Sequence, residues 1–243
     1  MSVAGRRGPG TTADVSIRTL LVEAPLVAGE VVVSGAEARH GAAVLRLRPG
    51  DAVRLADGDG RAGVGAVVSA EADTVVVQVD RVEDLVDPAI AAVTVACALP
   101  KGDLAGDLVR MLSELGVGAL RPLRCARGVR VEPQPRLARI SLESLKQCRR
   151  GRPLSILPAL DVAELAAGGG RIILADAQGG RFSAGAPGPL TVAVGPEGGF
   201  TADETAALVA AGAETFRLAP HVLRIETAAV SAAAVLAAAW EHP

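Results

Sequence analysis

The rhythm of apolar residues changes once along this chain, near residue 85, and that change constrains the fold more than any single motif. Before it, short strand-like runs follow one another: Ile17–Val22, Glu30–Val33, Asp51–Ala56, Ala62–Val68 and Thr74–Val79, with Asp57-Gly-Asp-Gly60 as a strong hairpin signal. One helix is predicted among them, Ala36 to Leu47, placing Ala36, His40, Val44 and Leu47 along one stripe. After it, extended runs and helices alternate. Val93–Leu99, Val117–Arg121, Ile172–Ala175, Leu190–Val194 and Thr215–Leu218 read as strands; Asp103–Leu115, Arg136–Arg150, Thr201–Ala211 and Glu226–Trp240 read as helices. The first pattern predicts a small closed or half-closed β-barrel of the kind that often carries RNA, and the second an α/β domain on a mostly parallel sheet. The acidic, proline-containing Val82–Ala89 marks the boundary, dividing 15–84 from 85–243. Residues 1–14 read as a flexible extension, since their Gly, Pro, Thr and two arginines lack the apolar centre an export signal needs.

Composition narrows the functional classes. With three Phe, one Trp and no Tyr, base stacking cannot be the main mode of any nucleic-acid binding, which disfavours an RNA recognition motif. Cys97, Cys125 and Cys148 are odd in number and lack CxxC spacing, so the reading is inert thiols in a reducing cytoplasm, with no disulfide framework and no metal. No apolar run reaches transmembrane length, so no membrane partner is expected. Net charge is only −2, yet ten cations stand against two anions between Arg121 and Arg152, a local excess of eight. A concentrated arginine face on an otherwise acidic chain is the expected footprint of a polyanion; the alternative is a solvated arginine-rich surface.

The most informative local stretch is Val192 to Glu204. A buried strand passes through Gly195-Pro-Glu-Gly-Gly199 into Thr201-Ala-Asp-Glu204, the pattern of a capping box. Gly195, Gly198 and Gly199 permit positive φ and leave no side chain to hold a ligand away from the backbone. Glu197 in the middle disfavours a phosphate cradle and points to a ligand with hydroxyls, amines or positive charge. The turn lies at the carboxyl end of a strand, where α/β sheets bind ligands.

Taken with Leu218-Ala-Pro-His-Val-Leu-Arg-Ile-Glu-Thr-Ala228, Glu143-Ser-Leu-Lys-Gln-Cys-Arg-Arg150, Leu99-Pro-Lys-Gly102, Glu114-Leu-Gly-Val117 and His40-Gly-Ala-Ala-Val-Leu-Arg-Leu-Arg-Pro-Gly-Asp51, this turn resembles the ribosomal RNA small subunit methyltransferase E family of the SPOUT methyltransferases, over nearly the whole chain. The resemblance implies a PUA-like β-barrel followed by a SPOUT domain with a deep trefoil knot, S-adenosylmethionine as cofactor, a homodimer, and methyl transfer to N3 of one uridine in 16S rRNA, within the small ribosomal subunit. It assigns Gly195, Pro196, Glu197, Gly198 and Gly199 to the cofactor loop, Leu218, Val222 and Leu223 to the adenine and ribose, and Ala175 and Asp176 to the first wall of the pocket. It also assigns Glu226 and Thr227 to the cofactor, near the reacting centre with Arg224; the alternative for this pair is an ordinary helix start. Met111, Ala126, Leu137 and His221 depart from the family's usual pattern.

The chemistry can be argued from the substrate. Neutral uridine N3 carries an imide proton and no free lone pair, so a base or an anion-stabilising cation is required. Arg224 is the first candidate cation, followed by Arg127 and Arg150; Glu197 is the candidate proton acceptor or a cofactor contact. For RNA, Arg18, His40, Arg46, Lys101, Arg127, Arg149 and Arg150 are the candidate contacts, His40 being equally readable as packing and Arg18 as a solvated strand residue. The rival reading is a non-catalytic RNA-binding or ribosome-assembly protein, which accounts for the arginines and the barrel but not for a ligand loop.

Overall fold

The computed structural model describes residues 17–128 and 135–241; the extension anticipated over 1–14 and the cation Arg130 lie outside them. The chain divides into two compact units, one ending at Leu85 and one beginning at Val86.

In the first unit, β1 (Arg18–Leu21), β2 (Gly29–Ser34), β3 (Ala52–Ala56), β4 (Arg61–Ala70) and β5 (Thr74–Asp84) form one sheet in the order β1-β3-β4-β5-β2. β1 runs parallel to β3, and the other neighbours are antiparallel. Period-two alternation sends Val33, Val53, Leu55, Val67, Val75, Val77 and Val79 into a core with Leu20 and Leu26. The β3–β4 hairpin turns at Asp57–Gly60. There the Asp57 carboxylate accepts the amides of Leu26, Asp59 and Arg61, tying the loop before β2 to the turn.

The single helix predicted from Ala36 to Leu47 is two shorter pieces, α1 (Gly35–Arg39) and a π-helical turn over His40–Val44. The wider turn rotates the apolar stripe. Ala38 and Gly41 are buried instead, and Val44 is 66% exposed. A Cβ on Gly41 would lie 3.3 Å from Leu47 Cδ1 and 3.4 to 3.5 Å from Val75 and Leu20, so the helix runs in close contact with the sheet at this glycine.

In the second unit, β6 (Val93–Cys97), α2 (Leu104–Glu114), β7 (Ala119–Arg124), α3 (Pro135–Cys148), β8 (Ser155–Ile156), β9 (Leu160–Asp161), α4 (Val162–Ala167), β10 (Ile172–Arg181), β11 (Leu190–Val194), α5 (Ala202–Ala210), β12 (Glu214–Arg217) and α6 (Ile225–Glu241) follow in chain order. The sheet order is β12-β10-β11-β6-β7-β8, with β9 also beside β7, and all its pairings are parallel. Val95, Leu174 and Val192 are fully or almost fully buried, as strands covered on both faces require. α2 turns Leu108, Val109 and Leu112 inward, each such side chain contributing about 1.5–3 kcal/mol by leaving water. α6 packs with small residues, Ala228, Ala229, Ala232 and Ala233, and ends its buried face at Leu236 and Trp240.

Two details place the ligand region. β11 lies between β10 and β6, whereas β12 returns to the far side of β10, so the chain reverses direction across β10 and the carboxyl ends of the three strands converge. In β10, Ala175 and Gly180 both align with Phe216 of β12, so Asp176–Gly179 arch out as a bulge. Gly179 permits this, since a Cβ there would fall 2.5 Å from the Phe216 backbone.

Candidate active site

A cleft of ≈ 340 Å³ opens at these three strand ends, within the size range of small-molecule sites. β10 contributes Ala175, Asp176 and Ala177; the loop after β11 contributes Gly195 to Phe200; β12 and the loop beyond it contribute Arg217, Leu218, Ala219, His221, Val222 and Leu223. Val194, Thr205, Ile225 and Ala228 complete the walls. Every residue assigned to the cofactor from the sequence therefore lines it, except Glu226 and Thr227. Those two follow Ile225 in the first turn of α6, and helical spacing turns Ile225 and Ala228 to the cleft in their place. Arg217, at the last position of β12, was missed; its place at a strand's carboxyl end was the available signal. Phe200 and His221 lie inside the stretches singled out from the sequence without having been assigned to the cofactor, and Ala177 carries no pattern that marks it in advance.

The glycine loop owes its shape to local bonds. The Gly199 amide donates to the Pro196 carbonyl at 2.8 Å, closing a tight turn in which Gly199 has φ +68°. Thr201 then caps α5. Its Oγ1 accepts the Glu204 amide at 3.2 Å while Glu204 Oε2 accepts the Thr201 amide at 2.7 Å, the reciprocal capping box. A Cβ on Gly195 would stand 3.0 Å from the Phe200 ring, so that ring covers the bare backbone. Glu197, Gly198 and Gly199 are exposed, and Val222, on the opposite loop, is 85% exposed. Asp176 is half-buried and accepts the Gln178 amide at 2.7 Å, which fixes the bulge. The cleft thus offers main chain and apolar side chains on its walls and two carboxylates, Asp176 and Glu197.

The candidate cations fall in different places. Arg224 is exposed between Leu223 and Ile225, both of which line the cleft, so it stands at the rim. Arg127 reaches the same loop from the turn after β7; its Nη1 donates to the carbonyls of Gly198 at 2.9 Å and Phe200 at 3.3 Å. Arg150 turns toward the fold: its guanidinium donates to the carbonyls of Ser113, Gly116 and Val117, at the carboxyl end of α2 and just beyond it, and is half-buried there. Burial pulls its pKa below the usual guanidinium value, with Cys148 and Asp87 opposing.

Several cations of the arginine excess meet partners from elsewhere in the chain. Arg121 donates to the Pro158 carbonyl, Arg124 pairs with Asp161 and Glu164, Arg136 with Asp103 and Arg152 with Asp87. These carboxylates all come from outside the basic segment, so folding dilutes its local charge. Arg139 remains exposed on α3, and Arg149 adopts φ +60° just past its end. Of the other RNA candidates, Arg18, Arg46 and Lys101 are exposed and His40 is half-buried in the π turn; Arg46, at φ +54°, stands just past Leu45, which caps that turn. Among the described residues no group of His, Cys, Asp or Glu could hold a metal ion, and no helix is long and apolar enough to cross a membrane.

Comparison with known proteins now bears on this geometry. Residues 87–237 match the RNA methyltransferase domain and residues 33–80 the RNA methyltransferase PUA domain. The ribosomal RNA small subunit methyltransferase E of Mycobacterium bovis is 35% identical over 231 residues, covering 86% of this chain and 88% of that protein. The chain belongs to the ribosomal RNA small subunit methyltransferase E family. The Synechocystis member is 29% identical over 240 residues, covering 91% of this chain and 78% of that protein. Among solved structures, the family member from Neisseria gonorrhoeae, bound to S-adenosyl methionine, has a TM-score of 0.83 at 24% identity, covering 92% of this chain and 98% of that one. A Legionella pneumophila methyltransferase, also with the cofactor bound, gives 0.81 at 23%, with coverage of 92% and 98%. At such identities the likeness concerns the fold, an α/β parallel sheet preceded by a PUA-like unit.

Proposed function

We propose that this family member is an S-adenosylmethionine-dependent methyltransferase that acts on N3 of a uridine in 16S rRNA, in the context of the small ribosomal subunit and in the cytoplasm. The observation that carries the reading is the cleft itself, in which ten of the twelve residues assigned to the cofactor line one cavity at the ends of β10, β11 and β12. Its donor set suits this cofactor. Leu218, Val222, Leu223 and Ile225 offer apolar contact to an adenine, the bare backbone of the glycine loop admits close approach, and Asp176 and Glu197 face a ligand whose sulfonium and ammonium are cationic. When bound, the cofactor supplies an electrophilic methyl group.

The chain's own residues have two tasks. They hold the uridine in line with that methyl, where much of the rate gain of a two-substrate reaction lies, and they manage the imide proton. Arg224 at the rim is the cation we assign to the developing negative charge on O2 or O4, and Glu197 is the acceptor for the N3 proton or a ligand of the cofactor's amine. Arg127 is the second cation near the loop. A non-catalytic RNA-binding role leaves a ligand-sized cleft with two carboxylates unexplained. The return of β12 beyond β10 supports reading the region around these loops as the deep trefoil knot, and the family resemblance supports a homodimer.

Calorimetric titration of the full chain with S-adenosylmethionine tests the cofactor assignment; a folded sample that takes up none would remove it. For the target, mass spectrometry of 16S rRNA from a deletion strain is expected to show loss of one uridine methylation that the parent gene restores. An unchanged modification map would refute the substrate assignment.

A further inference from the structure

The capping-box glutamate does more than cap. While Glu204 Oε2 takes the Thr201 amide, its other oxygen, Oε1, accepts the amide of Ala126 at 2.7 Å, from the turn after β7 that is 78 residues away in sequence. From the same turn, Arg127 donates to the carbonyls of Gly198 and Phe200. The two links run in opposite directions, carboxylate to amide and guanidinium to carbonyl. They grip the cofactor loop at both its middle and its end. Arg127 itself is not among the cleft's walls, so the two carbonyls it holds are directed at it and not into the cleft.

The contact between these segments is open on one side. Next to the contact lies a hollow of ≈ 360 Å³ lined by Ala126, Gly128 and Glu204 among others. The approach of the two loops is backbone-thin: a Cβ on Gly198 would meet only Arg127, at 3.5 Å, and one on Gly128 would stand 3.7 Å from Pro196. Charge-assisted hydrogen bonds are roughly twice as strong as neutral ones, so two of them weigh heavily at such an open contact. The loop's own bond, Gly199 to Pro196, closes its turn but does not orient it against the sheet.

We propose that Arg127 and Glu204 are positioning residues that form a two-point latch, holding the Pro196–Thr201 loop in the shape that receives the cofactor. The inference rests on the reading of the cleft as an S-adenosylmethionine site, and it gives Arg127 a task distinct from contact with the uridine. Glu204→Gln keeps one acceptor for the Thr201 amide and cannot serve both amides as acceptor with its nitrogen. Arg127→Lys keeps a cation that can reach one carbonyl, whereas Arg127→Ala removes the link.

The test uses the full chain, its variants R127A, R127K and E204Q, and the R127A/E204Q double variant. Hydrogen exchange over 197–201 is measured without ligand, and S-adenosylmethionine affinity by calorimetry. R127A and E204Q are each expected to speed exchange in that segment and to weaken affinity about tenfold, the scale of one charged hydrogen bond lost. The double variant is expected to fall short of the product of the two, since one link orients little once the other has gone, and R127K to recover part of the R127A loss. Lower thermal midpoints with parental exchange and parental affinity would mean that the pair only supports the fold, and would overturn the proposal. Should the parent take up no S-adenosylmethionine, the cofactor reading fails separately, and exchange over 197–201 alone then decides the latch.

Discussion

Arg150 shows how one side chain can carry an element's end. The last carbonyls of a helix have no partner within the regular ladder, and α2 stops at a glycine, Gly116 at φ +84°, packed against Ile90 and Pro88, where the Gly116 and Val117 amides turn back to Ser113 and Leu112. Arg150 supplies the donors from 33 to 37 residues away, with distances of 3.1, 3.4 and 2.9 Å. Removing it leaves half-buried carbonyls without this donor. Arg150→Ala is expected to lower unfolding free energy by about 2 kcal/mol in denaturant titration, the cost of a charged donor lost from a protected site. Arg150→Lys is expected to recover only part, because an ammonium cannot span three carbonyls as a planar fork does. Nothing in the sequence marks Arg150 apart from Arg149 or Arg152. Its role comes from a tertiary contact, and a residue count can register only that arginines cluster.

Legibility at the level of elements follows the range of the interactions that set them. The α5 start was readable because Thr201 and Glu204 bond to each other within four residues. α4 could have been read the same way: Asp161 and Glu164 stand at capping-box spacing, and the Asp161 amide donates to Glu164 at 2.7 Å. The π turn could not. It packs where Gly41 meets Leu20 and Val75, residues on β1 and β5 far away in sequence. The cleft divides similarly, since its glycine loop is local whereas Arg217 and Ala177 join it through the strand order. The β3–β4 hairpin yields the prediction proper to this scale. Burial is the largest single influence on Asp57 and raises its pKa, but the amides of Arg61, Asp59 and Leu26, with the Arg61 charge, outweigh it and leave the carboxyl below its ordinary 3.8. The unfolded chain therefore takes up this proton at higher pH than the folded one. Asp57 stabilises the barrel unit fully above 3.8, and that contribution is lost as pH falls through the lower folded value. Asp57→Asn is expected to reduce stability at pH 7 and to flatten its decline under acid, as followed by thermal melts across that range.

For the molecule as a whole, the two units differ in core and in chemistry. The smaller core is a single-sheet cluster of valines and leucines, while the larger one contains Cys97 and Cys125. Burial pushes both thiols up to about 12, Cys97 with help from Cys125 and Cys125 with help from Glu204. A neutral, inaccessible thiol is a poor nucleophile, so both are expected to resist iodoacetamide at pH 8 and to react only once the second unit opens, as read by mass spectrometry along a denaturant series. Early labelling of either would contradict the core described. Above the ordinary thiol value of 9.0 the unfolded chain loses these protons first, so stability is expected to decline as pH rises from there toward about 12.

The glycine loop presents main chain to the cleft, and this bears on how the site can vary and how it can be targeted. A wall made of peptide groups and glycines is insulated from substitution, because most mutations change side chains that it does not use. Drift can then proceed around a fixed recognition element. For a designed inhibitor the same property is an obstacle: contacts to the loop backbone will be common to proteins that share this loop. Discrimination has to be sought at the edge, where Asp176, Arg217, His221 and Val222 present side chains.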